Sequence, residues 1–105
     1  MSKQSDFINR IAPAAQRVSQ QTGIPASVIM AQAALESGWG TSQLSAKYNN
    51  FFGVKGQGVA LPSPEYENGM PKVRVSSFKV YNSIDESLLD YAKTLQKDRY
   101  KKAFM

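Results

Sequence analysis

Apolar side chains recur at Phe7, Ile8, Ile11, Ala14, Ala15 and Val18, the spacing of one helical face. The pattern predicts a helix from about Ser5, acting as N-cap, to Gln21, with Pro13 kinking or dividing it. Thr22-Gly23-Ile24-Pro25 then reads as a turn between antiparallel helices. Val28, Ile29, Ala31, Gln32, Ala33 and Leu35 predict a second, Ala-rich helix with apolar groups on more than one side, hence well buried. Pro25 suits its first position and Gly38 the left-handed residue beyond its end. A short helix from about Ser42 to Lys47 follows, with Thr41 as its cap. Residues 48–58 are rich in Asn and Gly around Phe51, Phe52 and Val54, and predict a loop.

From Val59 the pattern turns extended. Asn68-Gly69 predicts a tight hairpin turn. Val73-Arg74-Val75 and Phe78-Lys79-Val80-Tyr81 alternate out of phase, which predicts a bulge near Ser76-Ser77. Ser83-Ile84-Asp85-Glu86 is a capping box, opening a helix with Leu88, Tyr91, Ala92 and Leu95 on one side. A last helix is predicted from about Asp98, and the sequence stops inside it, leaving the apolar face around Leu95, Tyr100 and Phe104 short of partners. The order of elements makes one α+β domain over residues 1–105, a mainly helical part with a small β-hairpin lobe at about 57–81 beside a cleft.

Composition narrows the chemistry. The 105 residues contain no His and no Cys, which excludes a Ser-His-Asp triad, a thiol nucleophile, an imidazole or thiolate metal site and a disulfide framework. Acid–base work falls to eight carboxylates: Asp6, Glu36, Glu65, Glu67, Asp85, Glu86, Asp90 and Asp98. The net charge of +5 favours polyanionic partners, an acidic cell wall or a nucleic acid; no nucleic-acid motif accompanies it. Lys93, Lys97, Arg99, Lys101 and Lys102 cluster near the end, as a solvated helix face or a binding patch. No apolar run approaches the length of a membrane span, and the first six residues lack the apolar core of a secretion signal.

Among the carboxylates, Glu36 stands apart. It lies two residues before the helix stop, on the row of Ile29, Gln32 and Ala33, with no Lys or Arg within ten residues on either side. Partial desolvation and the negative end of the helix dipole would both favour its protonated form, which a general acid requires. The alternative is a helix-end Glu paired with a distant Lys.

Two stretches carry a resemblance. Ala31-Gln32-Ala33-Ala34-Leu35-Glu36-Ser37-Gly38-Trp39-Gly40-Thr41-Ser42 and Asn50-Phe51-Phe52-Gly53-Val54-Lys55-Gly56 resemble the signature of glycoside hydrolase family 73, bacterial endo-β-N-acetylglucosaminidases of lysozyme-like fold that cut peptidoglycan. Glu65-Tyr66-Glu67-Asn68-Gly69, Phe78-Lys79-Val80-Tyr81-Asn82-Ser83 and Asp98-Arg99-Tyr100 agree in order. Related lytic transglycosylases share a Glu-Ser at a helix end but continue with a Gly-rich segment ending in Met-Gln, where Phe51-Phe52-Gly53-Val54-Lys55 stands here. Members of the family usually continue well beyond the Arg-Tyr pair, so the resemblance implies that C-terminal helices are missing, and a larger parent chain with wall-binding or flagellar-rod parts.

The resemblance implies cleavage of the β-1,4 bond between N-acetylglucosamine and N-acetylmuramic acid outside the cytoplasm, with peptidoglycan glycan strands as partner, no cofactor, no metal, no nucleic acid and no membrane insertion. Rival expectations are an N-acetylmuramidase and a glycan-binding module without activity. Glu36 matches the family's acid. Glu65 matches its candidate base or nucleophile, with Glu67 two residues on; the acetamido group of the substrate is the alternative nucleophile. Trp39 and Tyr66 are expected as groove residues, with Tyr48 and Asn50 as further sugar contacts. Lys55 is either a partner for a substrate carboxylate or a solvated lysine, and Phe51 and Phe52 are expected in the core.

Overall fold

The computed structural model describes residues 2–103, and for residues 64–65 and 98–103 only the backbone. Four helices and one hairpin follow in the order α1 (Lys3–Thr22), α2 (Ala26–Ser37), α3 (Gln43–Tyr48), β1 (Gly58–Glu67), β2 (Met70–Lys79) and α4 (Ile84–Ala103). Helix α1 packs on both α2 and α4. Phe7, Ile11, Ala14, Ala15 and Val18 from α1 meet Ile29, Ala33 and Ala34 from α2, Phe51 from the loop, and Leu88 and Ala92 from α4. The small residues at 14, 15, 33, 34 and 92 let the helices approach closely, while the aromatic and branched side chains fill the remaining space.

The helix ends differ from expectation in ways local chemistry explains. Ser2, not Ser5, caps α1: the Ser5 amide donates to Ser2 Oγ at 3.0 Å. Pro13 sits inside α1 without dividing it, since the buried face on both sides of it holds the two halves in line. Pro25 is the N-cap of α2 and not its first helical residue. Ser42, not Thr41, caps α3, accepting from the Ser45 amide at 3.2 Å. The capping box is present: the Glu86 amide donates to Ser83 Oγ at 3.2 Å, and the Glu86 carboxylate accepts from the Asn82 amide at 3.0 Å. Helix α4 runs through Asp98 without a break, because neither Gly nor Pro interrupts residues 84–103. Leu95 is half-buried against the core. The side chain of Tyr100, and Phe104 altogether, lie outside the described residues.

The hairpin closes through Asn68 and Gly69, both at positive φ (54° and 78°), as a two-residue turn between paired strands demands. Its register is continuous from Gly58↔Lys79 to Glu67↔Met70, so the expected bulge at Ser76-Ser77 is absent. The phase change has another cause: Phe78 faces the body and is buried, whereas Val73 and Val75 lie on the opposite face and are about three-quarters exposed (75% and 73%). Two faces with different surroundings do away with the bulge. An isolated bridge from Lys55 to Phe78 adds to the hairpin base.

Among the described residues, the hairpin makes no extensive contact with any helix beyond that base. The radius of gyration, 14.9 Å, exceeds the ~13 Å of a compact chain of this length, as a projecting arm requires. Helix α2 is less enclosed than its composition suggests. Leu35 is 76% exposed and Val28 42%, because α1 and α4 cover only one side of it.

Candidate active site

The row Ile29–Ala33–Glu36 runs along α2 from the core to the surface: Ile29 and Ala33 are fully buried, and Glu36 is exposed. The helix ends immediately afterwards. Gly38, Trp39 and Gly40 all take positive φ (57°, 59° and 78°), and the Trp39 amide donates to Ala34 O at 2.9 Å. Ser37 fixes this exit. Its buried hydroxyl donates to Ala33 O at 2.5 Å and accepts from the Gly40 amide at 2.8 Å. A Cβ at position 40 would stand 3.0 Å from the Phe7 ring, so the turn sits tight against α1.

Glu36 opens onto a cleft of about 330 Å³ whose other walls are Phe52 and Val54 from the loop and Asp90, Tyr91 and Thr94 from α4. The Phe52 and Tyr91 rings stack in parallel, 3.9 Å between centroids and 5° between planes. Phe52 is half-buried, packing against the core while lining the cleft; Phe51, 1% exposed, is fully core. Burial and the neighbouring Glu36 charge both push the Tyr91 hydroxyl above its usual range. Glu36 itself is exposed, so the burial expected from the sequence is absent in this open arrangement. Among the described residues Glu36 forms no hydrogen bond or ion pair.

Asp90 is the second carboxylate of the cleft. It accepts from Tyr81 Oη at 2.5 Å and from Lys79 Nζ at 3.3 Å. The Tyr81 hydrogen bond, aided by Lys79 and opposed by partial burial, holds its carboxyl below the usual range, so it is ionised. Burial first, then Asp90, raise the Tyr81 hydroxyl well above its ordinary value. Sequence reading missed Asp90, Tyr91 and Thr94. Helical periodicity assigned Tyr91 to the core side of α4 and gave no sign that this stretch passes the end of α2.

The other expected site residues scatter. Asn50 is buried, and its amide group is engaged: Nδ2 donates to Val54 O (3.0 Å) and Lys79 O (2.9 Å), while Oδ1 accepts from the Val54 amide (3.0 Å). It ties the loop to the hairpin base and is unavailable to an acetamido group. Tyr48 is half-buried at the end of α3, and its carbonyl accepts from the Tyr81 amide at 3.0 Å. Lys55 is exposed beside the hairpin base. Trp39 does not line the Glu36 cleft. It meets the Phe7 ring edge-on (centroids 5.7 Å, 84° between planes) and borders a separate depression with Lys3, Asp6, Phe7, Arg10 and Thr41.

Tyr66 is 82% exposed on the hairpin, and Glu67 pairs with Lys72 (3.4 Å) and Arg74. Position 65 lies opposite Lys72. From Lys79, anchored at Asp90, the strand to that position covers about 23 Å at ~3.3 Å per residue. The hairpin therefore holds position 65 well away from the cleft floor.

The sequence model of the glucosaminidase family, described as mannosyl-glycoprotein endo-β-N-acetylglucosaminidase, matches residues 12–105. Peptidoglycan hydrolase FlgJ of Escherichia coli O157:H7 is 40% identical over 102 residues, which span 88% of the chain and 33% of that relative. A probable N-acetylmuramidase of Lactococcus lactis subsp. lactis is 42% identical over 95 residues, 86% of the chain and 22% of the relative. The chain thus spans a third or less of the length of these relatives. The crystal structure of the catalytic domain of the autolysin Auto from Listeria monocytogenes superposes with a TM-score of 0.84 at 38% identity, covering 90% of the chain and 57% of that domain.

Proposed function

The chain belongs to the glucosaminidase domains of glycoside hydrolase family 73, a family of peptidoglycan hydrolases, and from that premise we propose that it cleaves the β-1,4 bond between N-acetylglucosamine and N-acetylmuramic acid, with Glu36 as general acid. The observation that carries the proposal is the position of Glu36. Among the described residues it is an unpaired carboxylate at a helix end, reachable from solvent, beside a flat aromatic pair in a cleft. Hydrolysis of a glycosidic bond requires a proton for the leaving oxygen and, on the other face of the sugar, a base or nucleophile. Glu36 supplies the proton. The Phe52–Tyr91 pair offers its edge and face to the sugar ring, and the ionised Asp90 stabilises positive charge developing at the anomeric carbon.

The second role goes to Glu65 if the hairpin folds down over a bound glycan, which would also exclude water. The substrate's own acetamido oxygen requires no such movement and is the alternative. Tyr66, next to position 65 and exposed, would travel with the hairpin and cover the sugar; Glu67 lies one residue further along the same strand, and Lys55 stays at the hairpin base, where it would meet a substrate carboxylate. The reaction takes place outside the cytoplasm, where peptidoglycan lies, within a longer parent protein.

An N-acetylmuramidase is the second reading, favoured by the Lactococcus relative of that name. Digestion of purified peptidoglycan, borohydride reduction of the new ends and mass spectrometry of the products test both. Reduced N-acetylglucosamine ends are expected; reduced muramic ends would replace the proposed bond with the other, and no new ends would leave a glycan-binding module.

A further inference from the structure

Two depressions flank the Gly38–Gly40 turn. The first holds Glu36. The second, about 420 Å³, is lined by Lys3, Asp6, Phe7, Arg10, Trp39 and Thr41, none of which borders the first. Its volume falls in the ~300–1,000 Å³ range of small-ligand sites. We propose that this second depression binds a carboxylate-bearing sugar of the wall glycan, the pyranose ring lying on Trp39 and its carboxylate meeting Arg10 and Lys3. The proposal rests on the wall-hydrolase reading for its ligand and adds a site that the proposed bond cleavage does not use.

Three observations converge on it. Trp39 is an indole held in place but not enclosed. It keeps φ +59° between two left-handed glycines, a backbone state unfavourable for a bulky side chain, and that conformation turns the ring onto Phe7 and away from Glu36. One part of the indole packs against the core, and the rest stays exposed and borders open space. Amphipathic rings with one wet side suit the apolar C–H face of a sugar.

The charges form the second observation. Lys3 and Arg10 face a single carboxylate, Asp6, across the depression, so its field favours an anion. The Arg10 guanidinium lies 5.8 Å from the centroid of the Phe51 ring and, among the described residues, has no ion-pair partner. A planar fork held on an aromatic ring is suited to a carboxylate. The third observation is Thr41 at the rim. Its hydroxyl donates to Gly38 O at 2.8 Å, which leaves its oxygen to accept from a sugar hydroxyl or amide. A neutral sugar would satisfy the indole and Thr41 and leave both cations without a partner, so the lactyl or peptide carboxylate of a muramic unit is the better match.

Trp39 is the single tryptophan of the chain, so its fluorescence reports this depression directly. Glu36→Gln chain, which leaves the ligand intact, is titrated with a soluble disaccharide–tripeptide muropeptide and, separately, with neutral chitobiose. The expected result is a saturable change in emission with the muropeptide, at least tenfold weaker affinity for chitobiose, and at least a tenfold loss of muropeptide affinity on adding Lys3→Glu and Arg10→Glu. Emission unmoved by the muropeptide, equal affinity for the two ligands, or equal affinity in the charge-reversed chain overturns the proposal. If the double reversal fails to fold, Arg10→Gln alone is held to a measurable loss of affinity. Muropeptide binding at Trp39 in a wild-type chain that releases no reducing ends would sink the hydrolase reading and leave this site standing. Reducing ends released with Trp39 silent would do the reverse.

Discussion

Single side chains do two kinds of work around the cleft. Ser37 and Asn50 turn every polar atom inward and hold backbone: Ser37 the end of α2, Asn50 the loop against the hairpin base. Glu36 and Asp90 face outward, one without a hydrogen-bond or ion-pair partner among the described residues and one clamped by Tyr81 and Lys79. The clamped acids each add a small pH dependence to the stability of the fold. Asp85 lies below its usual range chiefly because Arg17 donates to it twice, at 2.7 and 2.8 Å, and Asp90 is lowered chiefly by Tyr81. A depressed carboxyl contributes stability that is present above the unfolded value, ~3.9, and is lost as pH falls through the folded value. Both pairs are partly exposed, so each effect is small. The melting temperature should be level from about pH 5 to 7 and drop below about pH 4. Asp85→Asn and Asp90→Asn should each lower the plateau and flatten the acid limb; an unchanged limb in both would show that these pairs do not set it.

At the scale of elements, some features were legible because a few local residues decide them. Gly38 ends α2 since only a left-handed residue fits there. Asn68-Gly69 closes the hairpin, and Ser83 with Glu86 opens α4. Features that depend on which elements become neighbours were not legible. Nothing local to Tyr91 announces that it will stack on Phe52, and Trp39 beside Glu36 in sequence gives no hint that a left-handed turn sends it toward α1. The bulge was inferred from the assumption that Val73, Val75 and Phe78 share a core; the hairpin instead projects, and the valines face solvent.

A two-stranded hairpin without helical backing is marginal in water, so its backbone should open far more readily than the helices. Amide hydrogen exchange should find residues 60–66 and 71–77 much less protected than the buried turns of α1 and α4. Equal protection would show the arm to be rigid, and closure over the glycan would lose its basis. If the arm does close, Glu65→Ala should reduce turnover by several orders of magnitude, with partial recovery in azide, and Glu67→Ala should be far milder. A loss of less than about tenfold, roughly 1.4 kcal/mol of barrier, would transfer the second role to the substrate's acetamido group.

Across the whole molecule, a three-helix core carries Glu36 at the mouth of an open cleft, with an arm projecting from the rim. Glu36 makes no hydrogen bond or ion pair among the described residues, and its side chain lies at the surface, so the fold does not depend on its charge. That independence from stability is what the role proposed for Glu36, as a general acid and not a structural carboxylate, requires. The most direct test measures reducing ends released from purified peptidoglycan by the wild-type chain and by Glu36→Gln, alongside thermal unfolding of both. Wild-type release, its loss to below a few per cent in the variant, and melting temperatures within about a degree or two of one another are expected. A variant that folds and retains substantial hydrolysis would contradict the assignment of Glu36 as the acid.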